Sequence, residues 1–106
     1  MGDSGNATRT SRWTFLTNHA RVLLCISGDP GIRLRDVAER VAITERAAQG
    51  IVTDLVEQGY ITRTRVGRRN IYEVRHDRPL RHPLEQAHQI GSLLELLADR
   101  HRPNTP

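Results

Sequence analysis

Two apolar runs with helical spacing, separated only by Ala42 to Thr44, leave this chain few ways to fold. The first run is Leu34, Val37, Ala38 and Val41; after Ile43 the second is Ala47, Ala48, Ile51, Val52, Leu55 and Val56. Steps of three and four place each set along one buried helix face. So short a connection admits only a sharp turn between two packed helices. Thr44 suits the N-cap of the second helix, and Glu45 sits where a negative charge meets the helix dipole favourably. That helix is expected over Glu45 to Gln58, with Gly59 at the left-handed position beyond it.

Immediately downstream the pattern changes to that of a hairpin. Ile61 to Val66 and Asn70 to Arg75 read as two strands joined through Gly67-Arg68-Arg69. Charge is focused here. Residues 61–75 carry Arg63, Arg65, Arg68, Arg69 and Arg75 against Glu73 alone, a balance of +4 that equals the net charge of the whole chain. Residues 31–60, by contrast, hold four arginines against five acidic groups. All sixteen basic side chains are arginine, which offers phosphate and guanine planar, bidentate contacts that lysine does not. A helix pair followed by a basic hairpin suits duplex DNA: one helix enters a groove while the hairpin straddles the backbone.

The order of elements resembles the winged helix-turn-helix of bacterial transcriptional regulators, closest to the small MarR-like and ArsR-like repressors. The likeness rests on the apolar spacing above, on Ala38 within the first helix, and on Leu55-Val56-Glu57-Gln58-Gly59-Tyr60-Ile61 leading into Gly67-Arg68-Arg69-Asn70-Ile71-Tyr72. It covers roughly Thr17 to Arg75, and the C-terminal helix by position only. The fold it implies is α+β, mainly α: a winged helix-turn-helix with a two-stranded wing and a C-terminal dimerisation helix. The function it implies is a homodimeric, sequence-specific DNA-binding transcriptional regulator, a repressor that blocks promoter access. Its partners would be double-stranded DNA and a second copy of the chain, with the effector left open. Two alternatives stand beside it: an ArsR-like metal- or thiol-responsive sensor, and a winged helix used as a protein–protein module. The arginine hairpin disfavours the latter, because interfaces between proteins seldom concentrate one sign of charge.

At 106 residues the chain is one domain with a modest core. Residues 1–11 are expected to be a disordered tail, 12–100 the winged helix (34–58 helix-turn-helix, 61–75 wing, 83–100 dimerisation helix), and 101–106 a second tail. A first helix is expected from Asn18 to Ser27, capped by Thr17 and ended by Gly28-Asp29-Pro30-Gly31. Ile32 reads as a short strand residue. Pro83 suits the first position of the last helix. Both outer helices carry more apolar residues than one face needs, which nominates Trp13, Leu16, Leu23, Ile90, Leu93, Leu94 and Leu97 for a dimer interface. Met1 to Asn6 is polar and acidic, and no apolar run reaches membrane-spanning length, so a cytoplasmic location without membrane contact is expected.

Candidate DNA-binding residues on the second helix of the motif are Thr44, Glu45, Arg46, Gln49, Gly50 and Thr53. Arg46 matches guanine O6 and N7, and Gln49 matches adenine N6 and N7. On the wing they are Arg63, Arg65, Arg68, Arg69 and Asn70, with the tip arginines suited to a minor groove or its phosphates. Gly50 is unusual, since a mid-helix glycine costs about 1 kcal/mol relative to alanine. His82, Glu85 and His88 are weak metal candidates at the head of the last helix; ArsR-like zinc sensors place ligands there, but the paired His-x-x-His arrangement is missing. No metal or other cofactor is expected. Cys25, between Leu24 and Ile26, reads as a small core residue, and Tyr72 as hairpin packing. Nucleotide loops, nucleophile elbows and Cys-x-x-Cys pairs are all missing, so no enzyme is expected.

Overall fold

The computed structural model describes residues 13–98; the expected tails at 1–11 and 101–106, and a helix end at Arg100, lie outside the described residues. Its order is α1 (Asn18–Gly28), α2 (Leu34–Val41), α3 (Glu45–Glu57), β1 (Ile61–Val66), β2 (Arg69–Val74) and α4 (Ile90–Leu97). This is the expected mainly helical α+β architecture, with β1 and β2 as one antiparallel hairpin.

Local chemistry sets most boundaries. Thr17 and Thr44 cap α1 and α3, their hydroxyl oxygens accepting from the N–H groups of Ala20 at 3.3 Å and Ala47 at 3.0 Å. The turn between α2 and α3 closes on Ala42, whose φ of 69° and ψ of 46° are left-handed. There the N–H groups of Ala42 and Ile43 both donate to the Ala38 carbonyl, ending α2 within one residue. Gly59 has φ +82° just past α3, as the C′ position requires.

The core lies where three helices meet the hairpin base. Val22, Leu23 and Ile26 of α1 pack with Val37 and Ala38 of α2, and with Ala48, Ile51, Val52 and Leu55 of α3. Ile61 and Tyr72 close it from the hairpin, and Ile90 and Leu94 from α4. Ala47, expected on the buried face of α3, is exposed. Cys25 is half-buried against the core.

Three expectations are corrected. Ile32 is buried but forms no strand; its neighbour Pro30 accepts a single backbone bond from Tyr72 N–H at 2.9 Å. The wing turn is two residues, Gly67-Arg68, because β2 begins at Arg69, paired with Val66. Gly67 has φ +62° and Arg68 does not, the pattern of a type II′ hairpin turn with glycine first.

The third correction is the last helix, which starts at Ile90 and not at Pro83. Residues 78–80 instead pair back against 88–90: Ile90 N–H donates to Arg78 O at 2.7 Å and Leu80 N–H to His88 O at 3.0 Å. Between them the chain makes separate turns, Glu85 N–H to His82 O and His88 N–H to Glu85 O. A helical turn over 83–88 would bury almost nothing, and Leu84 is indeed exposed.

Candidate nucleic-acid interface

α3 projects its free side between α1 and the wing. Successive residues turn about 100° around a helix, so Ala48, Ile51, Val52 and Leu55 form the inward side and Arg46, Gly50 and Thr53 the outward one. Gln49 lies toward the hairpin. Arg46, Gln49 and Gly50 are exposed, Thr53 is half-buried, and Thr44 and Glu45 sit exposed at the N-terminal end. The Thr44 oxygen is engaged as the cap, which leaves its O–H free to donate.

A cleft of about 380 Å³ separates α3 from the wing. Gln49 borders it from α3, Arg33 and Leu34 from the head of α2, and Arg63, Arg68, Arg69 and Asn70 from the hairpin, over a floor of Ile32, Val52 and Tyr72. Four arginines and no acidic residue line it. Such a low-dielectric trough of one sign focuses a positive potential on whatever enters.

The wing residues do not all point alike. The register pairs Arg63 with Tyr72 and Arg65 with Asn70, so these four share the face that carries buried Tyr72. Arg69 and Ile71 occupy the other face. Arg69 donates through Nη2 to the Gly31 carbonyl, and Arg65 Nε to Gly67 O at 3.3 Å. Arg68, at the turn, is exposed at the edge of the cleft. Arg33 was missed by sequence reasoning. Its only signal was a cation immediately ahead of a helix, and the balanced charge of residues 31–60 hid it.

The proposed interface and metal residues separate in the same way. Leu23, Ile90 and Leu94 are buried in the chain's own core and have no surface to offer a second copy. Leu16 and Leu93 are half-buried, whereas Trp13 and Leu97 are exposed at 69% and 39%. Trp13 and Phe15 make an edge-on ring pair at 5.0 Å. His82, Glu85 and His88 lie on the irregular segment ahead of α4, and His82 Nδ1 accepts from Leu84 N–H at 3.0 Å. Among the described residues no three His, Cys, Asp or Glu side chains are grouped so as to hold a metal ion. Nor is any helix there long and apolar enough to cross a membrane.

A capped helix-turn-helix with a two-stranded wing is the winged-helix fold. A sequence model of the MarR family matches residues 14–69, more than half of the chain, which therefore belongs to the MarR family. Among solved structures it is similar to the PcaV transcriptional regulator from Streptomyces coelicolor, determined in complex with its natural ligand. The two share 26% identity over 66% of this chain with a TM-score of 0.50. The chain spans 51% of the length of that regulator. No curated protein matches it.

Proposed function

We propose that the chain is a sequence-specific binder of double-stranded DNA that represses transcription as a cytoplasmic homodimer. The observation that carries this reading is the acid-free cleft between α3 and the wing, walled by Arg33, Arg63 and Arg68 and bordered by Gln49. A duplex laid across it puts α3 in the major groove, the Gly67-Arg68 turn over the minor groove, and the intervening backbone in the cleft. Arg46 and Gln49 then read base edges, Thr44 and Thr53 support them, and the wing supplies affinity with little sequence preference. Glu45, at the same end of α3, biases against misplaced phosphate. The exposed apolar positions Trp13, Leu96 and Leu97, with half-buried Leu16, support self-association through the chain's outer elements. That PcaV takes a natural ligand supports an effector here as well, of open chemistry.

A gel-shift titration against genomic fragments at two salt concentrations tests this. Duplex binding should weaken steeply as salt rises. Arg46→Ala or Gln49→Ala should cost about 1–3 kcal/mol at particular base pairs and relax preference there. Binding that ignores salt, or no fragment preferred over any other, overturns the reading.

A further inference from the structure

We infer that Arg33, not Arg69, completes the phosphate-binding wall of the cleft, and that Arg69 is a positioning residue tying the wing to the α1–α2 connection. The inference rests on the DNA-binding reading and refines it.

Two hydrogen bonds staple β2 to Pro30-Gly31, with an apolar side chain set beside them. Tyr72 N–H donates to Pro30 O at 2.9 Å. Ile71 Cδ1 lies 3.6 Å from where a Gly31 Cβ would stand. Arg69 Nη2 donates to Gly31 O. The last two side chains share the face of the hairpin opposite Arg63. A guanidinium bound to a carbonyl on that side orients the wing, because releasing it removes a hydrogen-bonded tie at the turn-proximal end of β2.

Arg33 follows Gly31 by two residues, on extended backbone at φ −83° and ψ 150°, and borders the cleft. It makes no side-chain hydrogen bond or ion pair among the described residues, although Asp29 and Asp36 are close in sequence. Arg63 and Arg68 are unpaired in the same sense. Three unpaired guanidiniums around one trough repel each other until an anion enters, and the backbone phosphate of the duplex is that anion. The staple also makes the arrangement cooperative. The connection that holds Arg69 leads directly to Arg33, so wing angle and phosphate wall are set together.

The test measures fluorescence anisotropy of a labelled mixed-sequence duplex from roughly 50 to 200 mM salt, with amide hydrogen exchange on the free proteins. Arg33→Gln should lower the slope of log K against log salt by about 0.9, one phosphate contact, with exchange unchanged. Arg69→Ala should weaken binding several-fold at every salt concentration while keeping the wild-type slope, and should speed exchange of the Tyr72 amide. Arg69→Lys should restore slow exchange. An unchanged slope for Arg33→Gln, or a slope loss of about 0.9 for Arg69→Ala with Tyr72 exchange unaltered, overturns the assignment. Failure of the wild-type protein to bind the duplex at all would instead refute the DNA-binding reading.

Discussion

His19 on α1 and Asp54 on α3 meet at 2.8 Å between Nε2 and Oδ2, across 35 residues of sequence. The contact marks which side of α3 faces the first helix. Asp54, with Ala47 two helical turns earlier, is turned toward α1, while Gln49 is turned toward the wing. The carboxylate is thus drawn away from the side offered to DNA.

Both partners are about half exposed, so the pair contributes little to stability. His19→Ala should cost about 0.2–1 kcal/mol in chemical denaturation. Duplex affinity should stay within two-fold of wild type. A several-fold loss would place this side of α3 on the DNA.

Ala42 is the one non-glycine residue with positive φ among the described residues. Its Cβ sits close to the following carbonyl there, a strain glycine avoids. Ala42→Gly should therefore stabilise by about 0.5–1 kcal/mol after the added chain entropy of glycine is subtracted. A calorimetric midpoint raised by several degrees is the expected result, and a lowered one would contradict the geometry of the turn.

Gly50 and Gly91 should respond in opposite directions. Nothing lies within 4 Å of a Cβ built at Gly50, so Gly50→Ala should gain about 1 kcal/mol from helix propensity. If its DNA affinity falls while its melting temperature rises, close backbone approach to the duplex explains the glycine. A Cβ at Gly91 would stand 2.8 Å from His76 Cβ and 2.9 Å from His76 O, where Gly91 N–H also donates at 2.9 Å. Gly91→Ala should cost about 1–3 kcal/mol and loosen α4.

Self-association should run through the exposed leucines of α4. Light scattering at micromolar concentration should give about twice the 12.0 kDa chain mass. Leu96→Glu with Leu97→Glu should return the single-chain mass without unfolding, since Leu96 is 77% exposed and Leu97 39%. A wild-type monomer at high concentration would refute the dimer.

What could be read in the sequence was local. Thr17, Thr44 and Gly59 announce helix ends within a few residues of themselves, and the apolar spacing around Ala42 allows only one kind of turn. The hairpin declared itself through Gly67 and its flanking arginines. What could not be read depends on partners far along the chain. Arg69 reaches Gly31 over 38 residues, and without that contact it looks like any other wing-tip cation. Pro83 carries a true helix-start signal, yet residues 78–80 take 88–90 as partners and no local pattern encodes that pairing. Leu23, Ile90 and Leu94 looked like surplus apolar surface because the extent to which α1 and α4 bury each other's side chains is a tertiary property.

The central claim, that α3, the wing and Arg33 form one DNA-binding surface around the cleft, is tested most directly by titrating the isotope-labelled protein with duplex DNA and following its amide spectrum. Shifts should concentrate at Arg33, at Thr44 to Thr53 and at Val66 to Asn70, and should fade as salt is raised. Residues 79–89 and the outward side of α4 should stay still. Shifts confined to 79–89 and α4, with α3 and the wing unmoved, would contradict the account.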